Sequence, residues 1–235
     1  MIDWLQVALA NIQQQSFFWM AMTLFTFWIG QHIYRLLGNT PLLPPILTSF
    51  SLLVILLLVF DTPYREYQAA VLPLQMLLGP TVVMLAVPLY QAFAAIRQDA
   101  WRIILAVSLG STTTVAVAVE LCYWLIGEAV IMNSLWTKSV TTPLAVVLAP
   151  ELGGLAALAA AFILVTGLFG AILIPPLLKI CRLDSPQATG LSLGVCAHAI
   201  GTSRALELGT EQAAFSALAM TLTASLFAFV LPWLI

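Results

Sequence analysis

The sequence predicts an all-α polytopic membrane protein with about six transmembrane helices and two re-entrant or broken-helix segments that form an inverted repeat. Three observations carry this reading. Of 235 residues, 62% are hydrophobic and only 8% are charged, whereas soluble domains run at about 45–50% apolar and about a quarter charged. A core this apolar would have no polar surface to present to water, so its solvent is lipid. The apolar runs are of the order of 20 residues, the length needed to cross about 30 Å of hydrocarbon. Two further stretches are short, rich in small and hydroxyl residues, and each holds a group that can carry charge.

Taken in order, the spans are residues 17–37, 42–60, 69–96, 101–126, 155–178 and 213–234. Turn chemistry or charge separates them, in "GNTP", "DTPYREY", "RQDAWR", "GEA" and "CRLDSP". The first fifteen residues, through "NIQQQ", lack a basic n-region and an A-x-A-like site, so the chain is expected to insert through its own first membrane helix. The two odd segments are residues 134–150 and 188–209. The organisation expected is a single integral membrane domain over 1–235. An N-terminal helix pair occupies 1–66, and a core over 67–235 carries motif units near 134–178 and 188–235.

Net charge is −2, which argues against nucleic acid as a partner, since that needs a basic face. Cys122, Cys181 and Cys196 are scattered and odd in number, a poor basis for a disulfide or metal framework. Orientation follows from Lys and Arg. Arg35, Arg97, Arg102, Lys179 and Arg182 fall on one side if the first five spans alternate and the two odd segments do not cross. Both termini then lie outside, the 134–150 segment dips in from outside, and the 188–209 segment from the cytoplasm. If either segment spans fully, part of this topology reverses.

Sliding the chain by sixty residues places Lys138 on His198, Thr142 on Thr202 and Glu151 on Glu211. Each unit reads as motif, short helix, acidic residue and membrane span, with the acids expected where a helix starts. Paired interrupted segments in corresponding halves point to a transporter's midplane site. In "KSVTTP" the proline disfavours helix before it, and the hydroxyls of Ser139, Thr141 and Thr142 satisfy the freed backbone. In "HAIGTSR" Gly201 is expected to supply the break through its permissive backbone, flanked by Thr202 and Ser203. A half-helix starting after each break aims unpaired N–H groups at an anion, and Lys138, His198 and Arg204 add positive charge. The ligand these residues suit is a small organic anion, a carboxylate above all.

Structural alternatives exist for each titratable residue. The alternative for Lys138 is to snorkel to the outer interface, for His198 to pack as a neutral imidazole between helices, and for Arg204 and Glu120 to anchor at an interface. Two such residues, matched by a repeat and each beside a helix breaker and hydroxyls, favour a site. Gly79, Pro80 and Pro88 are expected to interrupt the third span, and Gly170, Pro175 and Pro176 the fifth. Gly153 and Gly154, with the alanines after them, suit close helix packing. No HExxH, GxSxG or membrane-embedded carboxylate pair speaks for an enzyme. The Lys138/Ser139 pair is a weak case, since neighbours on a helix point about 100° apart.

The motifs also carry a resemblance. "KSVTTPLA" at 138–145 and "GVCAHAIGTSRALE" at 194–207 are similar to the "PKSVTTPIA" and "GxxxHAIGTA[RK]AxE"-like strings of the LrgB/CidB family of bacterial membrane proteins. "LGPTVVMLAVPLY" at 78–90 and "GLFGAILIPPLLK" at 167–179 resemble it as well. The chain departs from the family pattern at Pro44-Pro45, where Asn-Pro is usual, and at Ala197 and Ser203, where Ser and Ala are usual. The resemblance implies a multi-pass protein of the bacterial cytoplasmic (inner) membrane, described either as a holin/antiholin-like regulator of murein hydrolase activity and autolysis or as a carrier. Relatives resemble transporters of pyruvate in bacteria and of glycolate/glycerate in chloroplasts. A small LrgA/CidA-type membrane partner is implied, and a homo-oligomer is expected. The expectation is therefore a transport subunit for a small monocarboxylate, bound at Lys138, Ser139, Thr141, Thr142, His198, Gly201, Thr202 and Arg204. No cofactor or metal is expected. A coupling ion, H⁺ or Na⁺, is: His198 is the candidate for protons, and carbonyls freed at a helix break for sodium.

Overall fold

The computed structural model describes residues 16–38, 43–77 and 93–234, together with Pro80, Val83, Met84, Val87 and Tyr90. Regular structure among the described residues is entirely helical. The chain divides into two compact units, residues 1–84 and 85–235.

The first unit holds α1 (Ser16–Leu36), α2 (Pro45–Val59), α3 (Tyr64–Ala70) and α4 (Leu72–Met76). The expected spans 17–37 and 42–60 are α1 and α2. These helices cross closely, because Gly30 leaves no side chain between them: a Cβ there would lie 2.7 Å from the Pro45 carbonyl oxygen. Buried Trp19 forms the centre of an aromatic cluster with Phe18, Phe60 and Tyr67. Asp61, with positive φ, and extended Pro63 turn the chain, so that α2 and α3 meet at 119°. The expected span 69–96 begins in α3 and breaks at Val71. Much of its remainder, including the expected interruptions at Gly79 and Pro88, lies outside the described residues.

The second unit holds α5 (Phe93–Gln98), α6 (Ala100–Leu125), α7 (Ala129–Leu135), α8 (Thr142–Glu151), α9 (Ala156–Ile180), α10 (Pro186–Leu208) and α11 (Thr210–Val230), closed by a 3₁₀ turn over Leu231–Leu234. Helices α6, α9 and the α11 stretch through Trp233 are each long and apolar enough to cross a membrane. They coincide with the expected spans 101–126, 155–178 and 213–234. Their outward faces carry large apolar side chains such as Leu109, Trp124, Phe169 and Leu177. In water these would oppose folding, and in lipid they are the solvated surface. Helix α9 corrects one expectation: it runs unbroken through Gly170, Pro175 and Pro176. Gly170 serves packing instead, since a Cβ there would lie 2.8 Å from the Ala197 Cβ.

Small residues hold α9, α10 and α11 together, as they do wherever lipid removes the hydrophobic drive between helices. A Cβ on Gly190 would come within 2.5 Å of the Gln212 carbonyl oxygen, and one on Gly194 would overlap the carbonyl oxygen of Ser216. Gly167 receives the Ile200 side chain in the same manner.

Both motif segments are broken helices. In the first, α7 ends at Leu135, residues 136–140 form turns, and α8 begins at Thr142 with Pro143 in its first turn. Pro143 acts as expected there: the N–H it lacks has no helical partner in a first turn anyway. In the second, α10 is interrupted at His198, with φ 49° and ψ −129°. That is close to the mirror image of the geometry at the first central position of a type II turn, about (−60°, +120°), a place usually given to glycine. The chain reverses there. A Cβ on Gly201 would collide with the carbonyl oxygen of Leu193, eight residues earlier, whereas eight residues of straight helix rise about 12 Å. The break is therefore at His198 and not at Gly201. Gly201 keeps right-handed backbone and is needed because the two halves press together at its Cα.

Each unit of the repeat thus runs helix, break, short helix, turn and long helix: α7–α8–α9, then the two halves of α10 followed by α11. One detail of the expected pattern changes. Glu211 lies in the first turn of α11, but Glu151 is the last residue of α8, five residues before Ala156, where α9 begins. Gly153, at φ 77°, turns the chain between them, so the carboxylate is left at a helix end.

Candidate functional site

Lys138 sits on the turn between α7 and α8, its N–H bonded to the Leu135 carbonyl. Its side chain is buried, at 7% exposure, so it does not snorkel out of the unit. The ammonium donates to Ser139 Oγ at 3.4 Å. Ser139 Oγ lies 3.4 Å from Thr114 Oγ1 on α6, and Thr114 in turn donates to the Ser111 carbonyl. Among the described residues no carboxylate comes within ion-pair distance of Lys138; the ion pairs found are Arg102–Asp99 and Arg204–Glu207. A cation in a membrane helix bundle without a counter-ion is costly, by about 2.5–3.5 kcal/mol on insertion scales.

His198 is 2% exposed, and neither Nδ1 nor Nε2 has a hydrogen-bond partner among the described residues. Buried polar groups are nearly always bonded, and this ring keeps the hydrogen-bonding capacity of both nitrogens unused among the described residues. Lys138 is close enough for its charge to act on both His198 and Cys196. Folding thus brings the two register-matched breaks to one place. Behind His198, Thr202 Oγ1 donates to the His198 carbonyl at 2.9 Å and lies 3.0 Å from Ser216 Oγ on α11. That hydroxyl ties the residue at the break to α11.

The expected site residues divide into two sets. Lys138, Ser139, His198, Gly201 and Thr202 are buried around the two breaks. Thr141 is half-buried at the α8 N-terminus and makes no side-chain cap bond. Thr142 is exposed. Arg204 lies beyond the break, its guanidinium bonded to Glu207 one turn away, which answers its charge locally. Three contributors were not expected: Thr114, Ser216 and Cys196. The polar run "SLGSTTT" inside the fourth span is the signal that points to Thr114, since hydroxyls in a lipid-solvated helix turn toward polar neighbours. No such local mark distinguishes Ser216 or Cys196. Among the described residues no group of three His, Cys, Asp or Glu side chains is placed to hold a metal ion.

The sequence profile of the LrgB-like family matches residues 23–235. The chain belongs to the LrgB-like family. It is 33% identical over 226 residues to the holin-like protein CidB of Staphylococcus epidermidis, covering 96% of this chain and 98% of that protein. Two Bacillus subtilis (strain 168) proteins are also similar. The uncharacterized protein YwbG is 34% identical over 191 residues, with 81% and 85% of the two chains covered. The uncharacterized protein YxaC is 35% identical over 202 residues, with 82% and 84% covered. No solved structure matches. As an LrgB-like protein with several apolar helices, this is a multi-pass membrane protein of the holin/antiholin-like family.

Proposed function

We propose that this LrgB-like protein is a transport subunit for a small monocarboxylate such as pyruvate or glycolate, bound where its two broken helices meet. The observation that carries this reading is the Lys138–His198 pair: a buried ammonium with no carboxylate partner among the described residues, within electrostatic reach of an imidazole with two unbonded nitrogens. A carboxylate would supply the missing negative charge and accept hydrogen bonds from Lys138, Ser139 and a ring N–H. The same arrangement gives a helix break on each side of the ligand, the geometry in which alternating access operates around a fixed site. His198 is the candidate for proton coupling, and the carbonyls freed at its break are the alternative for sodium. The carrier reading needs no catalytic step and no cofactor. It places the protein in the bacterial inner membrane, as a homo-oligomer working with a small LrgA/CidA-type membrane protein.

The test is uptake of radiolabelled pyruvate and glycolate into proteoliposomes holding the purified protein, with and without that partner. Saturable, selective uptake that Lys138→Ala and His198→Ala abolish supports a carrier. A second reading draws on the name of the relative CidB, a holin-like protein: this chain would then be a holin/antiholin-like regulator of murein hydrolase export and autolysis. That reading requires non-selective leakage of a trapped dye, indifference to either carboxylate gradient, and insensitivity to both substitutions.

A further inference from the structure

A second polar feature of the core unit lies about three turns along α6 from Thr114. A cleft of about 380 Å³ opens between the α5–α6 corner and the first turns of α10 and α11. Its rim is Gln98, Asp99, Arg102 and Gln187, and its floor includes Ile103, Leu191 and Phe215. Arg102 bonds Asp99 at 2.8 Å with one nitrogen, and a guanidinium has five N–H donors, so donors remain for a ligand. Its side chain is 83% exposed.

From Arg102 the residues Ala106, Gly110 and Thr114 follow at intervals of four, each beside the next, and form one ridge that winds about 120° round the helix. This ridge leads toward Lys138 over about 18 Å, ending at the Thr114–Ser139–Lys138 contacts. It is small along its length: a Cβ on Gly110 would meet only the Val195 side chain, at 3.9 Å. Between the cleft and the site lies an apolar cluster of Ile103, Val107, Val195, Phe215 and Ala219, with Cys196 packed at its edge. Ile103 and Phe215 therefore form both the floor of the cleft and part of what closes it off from Cys196 and His198. The inner end is marked independently by His198, buried and with both nitrogens unbonded.

We infer that this cleft is one mouth of the substrate path, with Arg102 gathering the small organic anion and the Ile103–Val195–Phe215 cluster acting as the gate. This rests on the carrier reading. Passage requires the α10 side of the cluster, Val195, to part from Gly110, and the lack of a side chain at Gly110 keeps that contact light. Opening there joins the cleft to Lys138 without disturbing the glycine-mediated packing of α10 on α9 and α11.

The test is a cysteine at Ala106, introduced as Ala106→Cys with Cys122 and Cys181 replaced by serine, in proteoliposomes with radiolabelled pyruvate, and the same background without Ala106→Cys reports any modification of Cys196. A membrane-impermeant quaternary-ammonium thiosulfonate is expected to stop uptake, and pyruvate or glycolate to slow the modification several-fold. Gly110 gives a second, cysteine-independent arm: Gly110→Leu should lose uptake by an order of magnitude or more while inserting normally, and Gly110→Ala, whose Cβ meets Val195 at 3.9 Å, should lose much less. Uptake that survives both the modification and Gly110→Leu overturns the mouth and gate but leaves the carrier intact. Absence of saturable uptake by the unmodified wild-type protein overturns the carrier reading and the path with it.

Discussion

Lys138 and His198 lie sixty residues apart in the chain, each in a non-helical break, and the fold brings the Lys138 ammonium within electrostatic reach of the His198 ring. A register match in a weak repeat is thus realised as a single locus. The residues that surround it suggest four experiments.

Lys138→Met should separate stability from function. The apolar side chain is of similar length and removes a buried charge without a carboxylate partner among the described residues. Burying a cation at the helix centre costs about 2.5–3.5 kcal/mol on insertion scales. The variant should therefore unfold at a higher temperature in detergent while losing carboxylate uptake. A lower melting temperature with uptake intact would assign Lys138 to packing.

The backbone at His198 leads to a different contrast. A φ of 49° with ψ −129° is a strained region for any residue except glycine, costing about 1–3 kcal/mol. His198→Gly should melt higher than His198→Ala, and neither should transport. Equal stability of the two would show that the break is relaxed.

Thr202 links the residue at the reversal to a neighbouring helix. Its hydroxyl meets the His198 carbonyl at 2.9 Å and Ser216 Oγ at 3.0 Å. Thr202→Val leaves those groups without it, at about 1–3 kcal/mol for a buried group stripped of its partner. Thermal stability should drop by a corresponding amount. Thr202→Ser, which keeps the oxygen, should restore most of it, and failure of that rescue would locate the role in the methyl group.

Helix packing around the site can be probed with two alanines. At Gly194 the added Cβ would overlap the Ser216 carbonyl oxygen, part of the backbone, while at Gly110 it has ordinary contact with Val195. Overpacking of this kind typically costs about 1–3 kcal/mol. Gly194→Ala should lower the melting temperature and the yield of folded protein, and Gly110→Ala should match the wild type in both. Indistinguishable variants would mean that α10 and α11 separate readily.

The membrane class was legible from composition alone, because no arrangement of a chain with 62% hydrophobic residues leaves a polar exterior. The first break was legible too. Pro143 acts on its immediate neighbours, so its effect is local, and α8 begins where the proline demands. The approximate position of the second break and the pairing of Lys138 with His198 followed from the repeat. What only the tertiary structure decided is which residue takes the strained backbone and which glycine serves contact. "HAIGTSR" offers Gly201 as the natural breaker, yet His198 adopts the turn geometry and Gly201 accommodates the Leu193 carbonyl. That exchange depends on how close the two halves of α10 and helices α9 and α11 come, a non-local quantity that no local propensity encodes. The arrival of Thr114 and Ser216 at the site has the same origin. Each is an ordinary hydroxyl in an apolar helix until packing sets its neighbours, and the function proposed here resides in those neighbours.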